Sequence, residues 1–582
     1  MSTADVNFVD ADGESIFRIV RPTGCEGEIT TAASKVLNGI KDTHGVSVRS
    51  VFDEESAENV AEIIIGETNR EETKLAKQVF AAQGDGRINE YIICTINDDI
   101  VIYGATEEST VKGAEYFIST YVVNATIAGG INYLFKDSTG YETLGIAGTT
   151  RLCDVQFVRP IYNVSFLTQT ETHTLLAMLT EKTGYKMTIV NDQIASTTGN
   201  DLDGSGTLTP TESKEYEVII GNCVRDGVKT ITDKNAYEIR VDGKKVYLNG
   251  GSPYATAMAV TEFTRILTEA KSVTADNNVL NGDYSKVIGN YDSAKYYRLT
   301  WADDFEGTEI NTDLWDVRWG ERAYAAEGEE MPCYRGNKEL KNNYVEDGKL
   351  YFCAIQTDEA RYGGLTTTQG MMEYYQGYCE ISTLHPRGDG FWTALYNMSG
   401  TSPADKNTVG HLWDPERIYY TELDVEECYG AGNWAFGNTF VFPTSYGVKY
   451  LDLPTDQANA GWIHVNNRIS STDDRGYWMD FHTFGYEWLD KTQITYTCDG
   501  NIWCEQPLRE GGEQLAYDQP VFMRLAMAAG TKNYPVTDDI DSWTKYNKYI
   551  VDYIHIYQHK GDKIYHKKLK EPADKWVETI IQ

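Results

Sequence analysis

The sequence predicts a multidomain chain: two small repeated α+β domains, 1–150 and 151–292, then an all-β sandwich over 293–560 and a C-terminal tail, 561–582. Three observations predict it. At 582 residues the chain is too long for one core, since single hydrophobic cores stop growing beyond roughly 250–300 residues. Two stretches of the N-terminal half are similar to each other, and a repeat of that length marks a repeated structural unit. From about Tyr296 the texture changes to short alternating segments rich in Trp and Tyr, separated by Gly, Asp and Asn turns. That is the pattern of strands with one buried face.

The repeat can be laid out directly. AEIIIGETNR (61–70) resembles YEVIIGNCVR (216–225), and EYIICTINDDIVIYGATEESTVKGAEYFI (90–118) resembles AYEIRVDGKKVYLNGGSPYATAMAVTEFT (236–264). Each copy reads strand, hairpin, helix, with turns at Asn97-Asp98-Asp99 and at Asp242-Gly243, residue types suited to tight hairpins. Upstream, TTAASKVLNGIKDTHG and ETHTLLAMLTEKTGY carry apolar residues at helical spacing. These units resemble the non-catalytic α+β domain of glycoside hydrolase family 20, which implies an accessory role. Inside the second copy, Asp201, Asp203, Ser205, Thr207 and Glu212 have the oxygen spacing of a calcium loop, with Gly206 at the sharp turn. The same residues also suit a polar surface turn between helix and strand.

Composition narrows the function. Asp plus Glu number 87 against 52 for Lys plus Arg, a net charge of −35, which repels polyphosphates and argues against a nucleic-acid partner. Aromatic residues reach 12%, with 40 Tyr and 12 Trp, a composition suited to binding sugar faces. No stretch approaches the roughly 20 apolar residues of a membrane span. The first 20 residues lack the basic start and apolar run of an export signal. Ten cysteines occur without a C-x-x-C pair, so a cysteine zinc site is not expected; several stand in strand-like runs and read as buried free thiols.

The chemistry concentrates in Thr421-Glu422-Leu423-Asp424-Val425-Glu426-Glu427-Cys428-Tyr429-Gly430. On a strand, alternation sends Glu422 and Asp424 to one face and Leu423 and Val425 to the core. Neighbouring carboxylates repel when ionised, so at least one is expected to hold its proton to higher pH, which lets an acid and a nucleophile coexist near neutrality. Glycoside hydrolysis with retention needs such a pair, with carboxyl groups about 5–5.5 Å apart. Strict alternation selects Glu426 as the second group; a one-residue β-bulge instead turns Glu427 to the shared face and Glu426 away.

ELDVEECYG looks like the E-[IL]-D-x-x-E signature of glycoside hydrolase family 16 in its bulged form, including the glycine at Gly430. Other blocks follow in family order over about 297–558: RLTWADDFEGTEINTDLWDV, GNKELKNNYVEDGKLYFCA, QGYCEISTLHPRGDGFWTALYNM, DFHTFGYEWLDKTQITYTCDGN, PVFMRLAMAAGT and VDYIHIYQ. The resemblance implies a β-jelly-roll with an open cleft, Glu422 as nucleophile, Glu427 as acid/base and Asp424 tuning protonation between them. It implies sugar contacts at Trp392, Tyr396 and Trp413, and at Asn337 and Glu339, which match an N-x-E segment. It also implies a structural calcium held by Asp552 and the Gly348 carbonyl, and no cofactor for catalysis.

The resemblance implies a polysaccharide partner and a secreted or cell-surface location. The bulged motif and the N-x-E segment look like the laminarinase branch, implying an endo-acting enzyme on β-1,3-glucan or mixed-linkage β-1,3-1,4-glucan. Met371 stands where many glucan-cleaving members carry Arg, and GNWAFGNTFVFP lacks a His common there. A β-galactanase of agar, porphyran or carrageenan type therefore stays open. So does a carbohydrate-binding protein on the same scaffold, although all three acids are present.

Overall fold

The computed structural model describes residues 5–56, 60–82, 87–135, 140–195, 207–283, 297–319, 336–357, 361–387, 391–399, 419–429, 434–443, 463–470, 476–490, 492–508, 518–529, 547–567 and 576–581. The N-terminal half contains two six-stranded mixed sheets of the same topology. The first runs Arg49–Phe52, Phe17–Arg21, Ala61–Ile65, Asp99–Gly104, Tyr91–Ile96, Asn132–Phe135. The second runs Ile189–Asn191, Val155–Arg159, Tyr216–Ile220, Lys245–Gly250, Ala236–Asp242, Val279–Asp283. In both, the first three pairings are parallel and the last two antiparallel.

Central parallel strands with helices on their faces are apolar in both directions. Ile63 and Ile65 accordingly pack beneath the helices Glu28–His44 and Glu107–Phe117, while Ile64 packs with Ala76 of the helix Glu71–Ala82 on the other side. The first helix of each unit, Glu28–His44 and Phe166–Thr183, ends on a left-handed glycine, Gly45 at φ 73° and Gly184 at φ 74°, where a side chain would be strained. The helices after the hairpins start on Thr106 and Ser252, whose hydroxyls accept from the N3 backbone amides.

The C-terminal half is a two-sheet sandwich. One sheet orders Asn343–Glu346, Lys349–Cys353, Lys548–Gln558, Gly377–Leu384, His482–Trp488, Gln493–Cys498, Asn501–Pro507. The opposing sheet runs Ile463–Ser470, Trp434–Pro443, Tyr419–Tyr429, Phe391–Ser399, Val521–Ala529, Met372–Tyr375, Lys563–Lys567, Trp576–Ile580. Leu423 and Val425 join Leu395, Met523 and Leu525 from one sheet and Ile381, Ile554 and Ile556 from the other in the core between them.

The tail corrects the sequence expectation. Residues 563–567 and 576–580 form a hairpin that extends the second sheet through Met372–Tyr375. In Asp562-Lys-Ile-Tyr-His-Lys567, Ile564 and Tyr565 are buried, and this apolar pair among basic residues fastens the segment.

The second α+β unit is docked on the first of these sheets. Phe166 packs on Tyr378, with ring centroids 5.2 Å apart, and Tyr254 on Tyr557 at 5.6 Å. The fully buried Glu380 carboxylate accepts from the Ser165 hydroxyl (3.0 Å) and the Phe166 amide (3.1 Å) at the start of the helix Phe166–Thr183. It also accepts from Tyr378 (2.6 Å) and Tyr553 (2.8 Å) within the sandwich. A carboxylate suits this position because the first amides of a helix have no intrahelical acceptors.

Candidate active site

The strand Tyr419–Tyr429 carries a bulge. Against Trp434–Pro443, Asp424 pairs with Asn438 and Glu427 with Phe436, so two residues oppose one. Against Phe391–Ser399, Leu395 pairs with Glu426 and Tyr396 with Asp424, leaving Val425 as the extra residue. Without a bulge, Glu422 and Glu427 would fall on opposite faces, because five steps along a strand is odd. The bulge changes the parity and turns Glu427 to the side of Glu422 and Asp424.

Burial and hydrogen bonds follow that parity. Glu427 accepts from Trp392 Nε1 (2.9 Å) and from Asn438 Nδ2, which fixes its rotamer from both flanking strands. Asp424 lies between the glutamates and interacts with both; burial, then the charges of Glu427 and Glu422, push its carboxyl well above the usual range. Glu422 is half-buried. Burial first, then the charge of Glu427, raises it, while Arg524 and Asp424 favour its ionised form. Glu426 faces the core between the sheets, bonded to the Tyr549 hydroxyl and 3.6 Å from His385 Nε2.

Trp392 and Tyr396 are half-exposed on the same face, over a floor of Leu365, Ala526 and Ala528. Asn337 and Glu339 are not brought to the acids by any contact among the described residues. Asn337 Oδ1 accepts from the Glu339 and Leu340 amides and closes a turn, leaving Glu339 exposed. Trp413 lies outside the described residues.

Three groups of this face have no counterpart in the sequence expectation. Arg524 stands in register with Tyr396; its guanidinium bonds Gln369 Oε1 at 3.0 Å, and Arg318 reaches the same oxygen at 3.4 Å. Asn438 stands opposite Asp424. Arg524 puts a cation beside Glu422. A lone Arg inside the apolar run VFMRLAMAA is the signal that could have found it, since an unpaired buried charge is costly.

The metal expectations fare differently from one another. Among the described residues no cluster of three His, Cys, Asp or Glu is arranged to hold a metal ion. Asp201, Asp203 and Ser205 lie outside the described residues; Thr207 is exposed, and Glu212 follows the short strand Leu208–Pro210 and pairs with Lys214 at 3.0 Å, with no helix after the loop. Asp552 pairs with Lys349 at 3.0 Å, beside Gly348 in its left-handed turn, so a cation there has to displace an ammonium group. The described cysteines are free thiols, most of them buried.

No protein-family profile matches the chain. Over 288 residues it is 23% identical to glucan endo-1,3-beta-glucosidase A1 of Niallia circulans, an alignment covering 45% of this chain and 38% of that protein. The chain thus spans well under half the length of that curated relative. Among solved structures, SCLam, a non-specific endo-beta-1,3(4)-glucanase from family GH16, is 19% identical, with 45% of this chain and 91% of that one covered and a TM-score of 0.34. The laminarinase catalytic domain of Thermotoga maritima MSB8 is 22% identical, with 45% and 98% covered and a TM-score of 0.34. Each of these similarities is confined to about 45% of this chain.

Proposed function

We propose that this protein is a retaining, endo-acting glycoside hydrolase that cleaves β-1,3-glucan or mixed-linkage β-1,3-1,4-glucan by double displacement. The observation that carries the reading is the bulged strand, which turns Glu422, Asp424 and Glu427 to one face beside the half-exposed Trp392 and Tyr396. Glu422, whose ionised form burial and the charge of Glu427 oppose and Arg524 favours, attacks the anomeric carbon. Glu427 protonates the departing oxygen and then takes a proton from water. Asp424, which holds its proton, bonds between the two and passes its hydrogen bond to whichever is ionised. Trp392 and Tyr396 offer flat apolar faces to the sugar.

A panel of laminarin, lichenan, agarose, carrageenan and xyloglucan, read by reducing ends and product size, tests the reading. Oligosaccharides released early from laminarin or lichenan support it. Products from the galactans alone would move the substrate to the alternative class. Binding to any of these without release of reducing ends would make the protein a lectin.

The units 1–150 and 151–292 are read as repeated accessory domains and the whole as a secreted or cell-surface protein. Support for the repeat comes from the shared strand order. Calcium at Asp552 and Gly348, or in the loop 201–212, stays a proposal, tested by calorimetric titration of the full chain with calcium.

A further inference from the structure

The bulge places two glutamates back to back. Glu427 is turned to the cleft, and Glu426, immediately before it, is closed into the core with 1% of its surface exposed. Groups from each neighbouring element face Glu426. Tyr549 on Lys548–Gln558 donates its hydroxyl. His385, just after Gly377–Leu384, stands 3.6 Å away with its other nitrogen on Thr393 at 2.7 Å. Glu427 and Cys428 act from the same strand.

Neither neighbour supplies a positive charge. Burial, then the nearby charge of His482, pushes His385 down to about 3, so it is a neutral ring at working pH. Among the described residues no Lys or Arg lies within ion-pair distance of Glu426. Burial also pushes Glu426 up to about 8, with the Tyr549 hydroxyl opposing and the charge of Glu427 adding to the rise. The charge of Glu427 acts on Glu426 through the strand, and by reciprocity a charge formed on Glu426 acts on Glu427.

We infer that Glu426 is a positioning residue, a buried acid whose charge, once formed, holds the proton on Glu427 and extends the active range to alkaline pH. The inference rests on the assignment of Glu427 as acid/base. The general acid must be protonated to act, so the alkaline limb of kcat/KM reports how long Glu427 keeps its proton. A neutral side chain at 426 removes the opposing charge. Phe at 549 removes the hydroxyl that favours ionised Glu426 and acts in the same direction.

The test is the pH profile of kcat/KM for Glu426→Gln, Tyr549→Phe and Glu427→Gln beside the parent, on whichever polysaccharide of the panel it cleaves. We expect Glu426→Gln to stay within about threefold of the parent on the acidic side, with an alkaline limb lower by about half a pH unit or more. Tyr549→Phe should shift the same way, and it decides the matter if Glu426→Gln does not fold. Alkaline limbs that coincide with the parent in both variants would overturn the inference while leaving the glycosidase reading intact. Loss of activity at every pH in Glu426→Gln, with Glu427→Gln still active, would make Glu426 itself the acid and remove the assignment beneath it.

Discussion

At Glu422 and Glu427 the same functional group is given two environments. Glu422 is half-exposed with an arginine nearby, whereas Glu427 is pinned by an indole and an amide. Glu422→Gln is expected to abolish turnover with the thermal melt unchanged. Glu427→Gln is expected to lose about 10²–10⁴-fold in kcat/KM. Azide can separate the roles by stereochemistry. With alanine at 422 it should attack a β-glycoside directly and give the α-azide; with alanine at 427 it should capture the glycosyl-enzyme and give the β-azide. The reverse pattern would exchange the two assignments. Trp392→Phe keeps the apolar face but removes the donor to Glu427, and a charge-assisted hydrogen bond of about 1.5–3 kcal/mol predicts a loss of roughly 10–100-fold.

Glu426 also predicts a stability signature separate from activity. Its carboxyl titrates near 8 in the folded protein against 4.5 as an ordinary glutamate. A group raised on folding stabilises the protein fully below its unfolded value, and that contribution is lost as pH rises through the folded value. The melting temperature of Glu426→Gln relative to the parent should therefore increase between pH 5 and pH 8. A constant difference across that range would show that Glu426 is already ionised in the folded state.

The strand Tyr419–Tyr429 shows what a sequence can and cannot reveal. Alternation of Leu423 and Val425 with acids identifies the strand and its buried face, because period two is a local property. The bulge is not a local property: it is a mismatch between this strand and both neighbours, and only the resemblance to a known spacing pointed to it. Asn438 and Arg524 were missed because they reach the acids through strand register, which no single segment encodes. The tail was set apart from the sandwich because its Lys residues mask the buried pair Ile564 and Tyr565. If Val425 is only the extra residue of the bulge, its deletion leaves an unbulged Glu-Leu-Asp-Glu-Glu strand with Glu427 still on the cleft side. That variant should fold and keep kcat/KM within roughly tenfold of the parent, a cost of about 1.4 kcal/mol.

At the scale of the molecule, the second α+β unit is fastened to the sandwich by the Glu380 contacts, by Asp499, which accepts from the Asn163 amide at 2.7 Å, and by Thr483, which donates to the Val164 carbonyl at 2.6 Å. A shortened protein starting at residue 293 bares Tyr378 and Tyr557 and leaves Glu380 without its two helix-side donors. Because buried groups stripped of partners cost about 1–3 kcal/mol each, that fragment should melt well below the full chain and clump on warming. Anyone who trims this chain to its sandwich should cut ahead of residue 140 instead, keeping the neighbouring unit, with Leu144 and Ile146 in its core, as a permanent lid over what is otherwise a sticky outer wall.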